Sequence, residues 1–170
     1  MSIATPNTSP QETGAAETTG TQQIVSFHLA AETYGVEITK VREIILICDI
    51  TQVPQTPHYV KGLINLRSTV IPVIDLRARF GLPEAERTGD TRIMVINVGT
   101  KTVGIIVDGV DEVLRISHDQ IAPAPPTIAS LGNEYLNGLV KLDDQLLILL
   151  DIDKILGQDE QVLDAVAAAG

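Results

Sequence analysis

Residues 24–45 read IVSFHLAAETYGVEITKVREII, and residues 93–114 read IMVINVGTKTVGIIVDGVDEVL. Aligned at an offset of 69, Ile24/Ile93, Thr33/Thr102, Gly35/Gly104, Val41/Val110 and Glu43/Glu112 are identical. The pattern of faces repeats as well. Val25, Phe27 and Leu29 share one parity, as do Met94, Ile96 and Val98; Tyr34, Val36 and Ile38 are matched by Val103, Ile105 and Val107. Alternation with period two marks half-buried strands, so each stretch reads as one hairpin, built twice. The turns are expected at Ala31-Glu32-Thr33 and Thr100-Lys101-Thr102.

A second block repeats downstream. Residues 59–76 (YVKGLINLRSTVIPVIDL) match residues 135–152 (YLNGLVKLDDQLLILLDI) at an offset of 76, with Tyr59/Tyr135, Gly62/Gly138, Leu63/Leu139, Leu66/Leu142 and Asp75/Asp151 identical. The offset grows between the blocks, where the second copy carries Ala122-Pro123-Ala124-Pro125-Pro126. Proline cannot donate to a strand ladder, so that insertion is expected as a surface loop. The runs 70–74 and 146–150 are apolar on both parities. Strands without a polar face are buried on both sides, here where the two copies pack together. The expectation is an all-β domain of two small barrels in intimate contact, over residues 23–156, with the copies at roughly 23–76 and 92–152.

Composition limits what such a domain does. The 53 Ile, Val and Leu residues supply an aliphatic core, whereas Phe, Tyr and Trp together number five. A nucleic-acid-binding barrel needs stacking aromatics on a basic face, and a net charge of −10 opposes it. No apolar run approaches the ~20 residues that span a bilayer. Residues 1–22 have the composition of a disordered tail, and no Lys or Arg precedes Lys40, so the start does not read as a secretory signal. Residues 157–170, rich in Ala, are expected as a tail or short helix. The lone Cys48 reads as a small buried hydrophobe, and with no disulfide partner it points to the cytosol.

Catalytic and metal-binding constellations do not emerge. His28, His58 and His118 are far apart, and Asp151 with Asp153 lacks the glycine and distal glutamate of a calcium loop. Neither a metal nor a cofactor is expected. Gly99-Thr100-Lys101-Thr102 lacks the spacing of a phosphate loop and reads as a turn. Asp143-Asp144 occupies the turn that Arg67-Ser68 holds in the first copy. Because Asp143 replaces Arg67, the repeat itself does not require the arginine. Glu43 and Arg67 are either an ordinary surface pair, which contributes little, or a charge that one barrel presents and the other does not.

GVEITKVREI (35–44), PHYVKGLINLR (57–67), STVIPVIDLRARFGL (68–82), VGIIVDGVDEVL (103–114), IAPAPP and YLNGLVKLDDQLLILLDIDKIL resemble the CheW chemotaxis coupling proteins, in the same order along nearly the whole domain. The resemblance implies two intertwined five-stranded SH3-like barrels and a non-catalytic adaptor. Its implied partners are the cytoplasmic tip of methyl-accepting chemoreceptors and the regulatory domain of the histidine kinase CheA. It also implies a cytoplasmic protein recruited to receptor arrays at the inner membrane, monomeric when free. Carried over by position, the receptor groove falls on Ile38, Val41, Ile44, Val103 and Gly104, and a coupling ion pair on Glu43 and Arg67. The kinase face is assigned to Val110, Asp111, Glu112 and Val113. Ser68 stands where the family usually has Gly: either the turn takes positive φ at a cost of roughly 1–2 kcal/mol, or it adopts another type. The rival readings are a small-molecule-binding barrel, which needs a polar interior, and an adaptor of a non-flagellar chemosensory pathway.

Overall fold

Both quoted stretches fold as a hairpin leading into a third strand. The first gives β1 (Thr21–Leu29), β2 (Glu32–Glu37), a 3-10 turn (Ile38–Lys40) and β3 (Val41–Leu46); the second gives β6 (Arg92–Val98), β7 (Lys101–Val107) and β8 (Gly109–Ser117). The second block forms β4 (Val60–Leu66) and β5 (Thr69–Asp75), and its copy β10 (Leu136–Lys141) and β11 (Leu146–Leu150). A short helix α1 (Leu76–Arg79) follows β5, capped by the Asp75 carboxylate, which accepts from the Arg77 N–H. Strand β9 (Ile121–Ala122) follows a second 3-10 turn, and helices α2 (Ile152–Gly157) and α3 (Glu160–Ala169) close the chain. This computed structural model describes residues 20–123, 136–157 and 160–169.

The strands form two sheets, ordered β8-β1-β2-β11-β10-β9 and β3-β6-β7-β5-β4. Neither sheet belongs to one sequence copy. Hairpin β1–β2 pairs with β8 and β11 of the second half, while β6–β7 pairs with β3 and β5 of the first. The exchange respects the repeat: Ile24 sits opposite Leu114, and Ile45 opposite Ile93, so one pair maps onto the other with Ile24 matched to Ile93 and Ile45 to Leu114. The fold is thus all-β with two intertwined SH3-like barrels. The first sheet has six strands rather than five because Ile121–Ala122 adds a short edge, where the second sheet has a lone bridge from Thr51 to Leu63.

The core divides into two barrel interiors, a seam and a smaller cluster under α3. Ile64, Ile71, Val73, Ile93, Val95 and Ile106 fill one barrel. Ile24, Ile116, Val140, Leu147 and Leu149 fill the other. The alternating residues that define the repeat, among them Val25, Phe27, Met94, Ile96, Val103 and Ile105, face neither interior alone and form the seam between the barrels. Strands β5 and β11 are buried along most of their apolar runs, with Val70 and Leu146 exposed at their starts and Ile148 partly buried.

Several boundaries differ from the sequence expectation. Thr21 and Gln22 pair with Ser117 and Ile116 of β8, so the strand starts inside the segment expected as tail; residues 1–19 lie outside the described residues. The tight turns fall at Ala30-Ala31 and Gly99-Thr100, a residue or more before the expected positions. Ala30 takes φ 55° there, held by the Asp108 Oδ2 atom, which accepts its N–H at 2.7 Å. Cys48 is exposed, not buried, because β3 ends at Leu46 and the chain leaves the sheet. Of the proline loop, Ala122 lies in β9 and residues 124–126 fall outside the described residues. Among the described residues no helix is long and apolar enough to cross a membrane.

Candidate functional site

A bulge aims Glu43. In β3, Val41 pairs with Ile96 and Glu43 with Val95, so Arg42 is the extra residue. A bulge bends its strand and re-aims the next side chain. The same device recurs in β8 at Asp111, the counterpart of Arg42. Facing Glu43 is the tip of the β4–β5 hairpin, where Arg67 and Ser68 connect the paired residues Leu66 and Thr69. Arg67 has φ 51° and Ser68 φ 69°, so the connection is a two-residue turn with both central residues left-handed, the type I′ geometry that matches strand twist. The copy does otherwise: Leu142 N–H donates to the Gln145 carbonyl at 2.8 Å, and neither Asp143 nor Asp144 has positive φ.

That turn delivers the Arg67 guanidinium onto Glu43 as a fork. Nη1 donates to Oε2 at 2.5 Å and Nη2 to Oε1 at 2.9 Å. The Arg67 side chain is 72% exposed and that of Glu43 22%. Hydrogen bonding from Arg67 holds the Glu43 carboxylate below its ordinary value, against the opposing effect of partial burial. The pair ties the hairpin tip to β3 and shows one face of the guanidinium to solvent. Glu43 and Arg67 therefore meet.

The other expected residues divide. Ile38 and Val41 are half-buried against the seam, and Ile44 is 40% exposed. Val103 is fully buried, and a Cβ on Gly104 would lie 2.9 Å from Ile93 Cγ2. The Val103 side chain is thus out of reach of a ligand on the surface. Of the second-barrel residues, Val110 packs on the seam, Asp111 lies 3.0 Å from His28 Nδ1, and Glu112 and Val113 are exposed.

Sequence reasoning missed Leu46, Val70 and Leu146, which with Ile44 and Val113 are the exposed large apolar side chains of the described residues. Four of the five are related by the repeat. Ile44 corresponds to Val113 at the offset of 69, and Val70 to Leu146 at the offset of 76. An apolar residue kept on the outward parity in both copies was a readable signal. The charges beside them differ, with Arg67 in one barrel where the other has Asp143. A separate concavity of about 460 Å³ lies between the first 3-10 turn, the β6–β7 tip and α2. Its two lysines are matched within it or at its edge, Lys40 to Asp153 at 2.5 Å and Lys101 to Asp164 at 2.8 Å.

Comparison with known proteins places this geometry. A family profile described as the CheW-like domain matches residues 23–160. The chain is 42% identical over 149 residues to the chemotaxis protein CheW of Klebsiella aerogenes, covering 88% of this chain and 89% of that one. It is 38% identical over 142 residues to CheW of Treponema pallidum, covering 81% and 84%. The crystal structure of the scaffolding protein TtCheW from Thermoanaerobacter tengcongensis superposes with a TM-score of 0.74 at 37% identity, over 79% of this chain and 87% of that one.

Proposed function

The chain belongs to the CheW-like family, and from that premise we propose that it is a non-catalytic chemotaxis adaptor coupling chemoreceptors to the histidine kinase CheA in the cytoplasm. One observation carries the reading: exposed aliphatic residues stand at repeat-related positions on two barrels that share a seam, with unlike charges beside them. Such a body offers two similar but non-identical docking faces in fixed relation, which is what a bridge between two partners needs. The receptor tip, a helical hairpin, lies along Ile38, Val41 and Ile44, with Val103 and Gly104 setting the backbone behind them. A helix in a groove is anchored by a few aliphatic contacts. The Glu43–Arg67 fork borders that surface and serves coupling. The regulatory domain of the kinase docks on the face of Val110, Asp111, Glu112 and Val113. The free protein is a monomer.

Titration of the purified chain against a receptor-tip fragment and against the kinase regulatory domain tests this. Val41→Glu is expected to weaken receptor binding by about thirtyfold, the loss of one well-buried anchor, while leaving kinase-domain affinity near that of the parent. Equal weakening toward both partners would mean one shared surface and a competitor, and binding to neither would overturn the reading.

A further inference from the structure

The family match ends at residue 160, where α3 begins. Yet α3 buries an aliphatic stripe. Leu163 and Val166 are each 2% exposed; Val162 and Val166 pack with Val53, Tyr59, Val60 and Leu63, and Leu163 reaches the seam beside Leu156. Basic groups flank this groove. Lys101 Nζ lies 2.8 Å from Asp164, and the Arg79 guanidinium carbon sits 5.4 Å from the Tyr59 ring centroid.

A ten-residue helix is marginal by itself in water, so docking is what keeps α3 helical. Its backbone hydrogen bonds are its own, whereas every strand shares a ladder with a neighbour. Elements attached this way open locally at a lower cost than global unfolding. We propose that α3 is an internal ligand: it fills a helix-binding groove that an acidic amphipathic helix of another protein enters by displacing it. The present occupant defines the partner's chemistry. Aliphatic side chains are required at i, i+1 and i+4, where Val162, Leu163 and Val166 stand, and a carboxylate at i+2, where Asp164 meets Lys101. The inference goes beyond the adaptor reading. Its test uses neither receptor nor kinase, so its failure leaves that reading standing.

The probe is a fluorescent peptide with the sequence of residues 158–170. It is titrated against the full chain and against the full chain carrying Leu163→Asp with Val166→Asp, which undocks α3. The undocked variant is expected to keep its strand circular dichroism and bind the peptide at least about tenfold more tightly than the parent. A peptide carrying Asp164→Lys is expected to lose most of that gain. A variant that loses its sheets, or folds and binds no peptide, overturns the proposal. Hydrogen exchange on the unaltered chain is the second arm: α3 amides are expected to exchange about a hundredfold faster than those of β6 and β7. Equal protection would make α3 part of the global unit and overturn it. A dimer exchanging α3 reciprocally would make a second copy the occupant, which also overturns the proposal as stated.

Discussion

Ser68 is held at φ 69°, a left-handed conformation that disfavours a side chain with a Cβ. Ser68→Gly is therefore expected to stabilise the protein by about 1 kcal/mol, seen as a melting point raised by about 2–4 °C. A lowered melting point would mean that the Ser68 side chain contributes more than its strain costs. Asp108 carries the opposite kind of tension. Partial burial pushes its carboxyl up, but hydrogen bonds from Arg77 and the Ala30 N–H, with the charge of Arg77, outweigh this and hold it below its ordinary value. A carboxylate depressed in the folded state stabilises above its unfolded pKa and loses that contribution as pH falls through the folded value. Allowing for screening of a partly exposed group, Asp108→Asn is expected to cost about 1–2 kcal/mol at pH 7, with the gap to the parent closing as pH falls below the ordinary aspartate range. Urea unfolding of both proteins across that range checks the sign; a gap independent of pH would assign the loss to packing. The Glu43–Arg67 pair was legible because the repeat broke at Arg67. The strain at Ser68 was not, since a serine in a turn is compatible with several dihedral classes.

Strands β4 and β10 are bulged at the same place, at Lys61 and Asn137, and each bulge is followed by a glycine with positive φ, 143° at Gly62 and 147° at Gly138. A Cβ on Gly62 would lie 2.0 Å from the Thr51 carbonyl oxygen, inside the bridge that closes the barrel. Gly62→Ala is expected to destabilise by about 2–3 kcal/mol, whereas Gly89→Ala, in open space, changes little. Calorimetry on the two variants separates a required glycine from an incidental one. The identity of Gly62 and Gly138 in the alignment already pointed to a shared backbone need. Which strands neighbour which was less legible. Parity tells that Val25 and Phe27 share a face, but pairing β1 with β8 is a long-range choice that no local pattern encodes. For the same reason parity alone did not show that Val25, Phe27 and Val103 share one seam.

At the scale of the molecule, each sheet needs strands from both halves. Residues 20–82 and 89–169 expressed separately are expected to show neither native strand signal nor cooperative melting, and to regain both when mixed. A half that folds alone would show the exchange of hairpins to be dispensable. The exchange also has a consequence for synthesis. Strand β2 finds its parallel partner only when Leu147, Ile148 and Leu149 emerge, more than a hundred residues after Gly35. At ~5–20 residues per second the ribosome keeps β2 waiting for roughly 6 to 20 seconds. Through that interval the hairpin displays Val25, Phe27 and Val36, all destined for the seam, to whatever else the cell contains. The nascent chain is thus the state most exposed to aggregation, and a pause in translation before β11 would lengthen its risk without altering the finished protein.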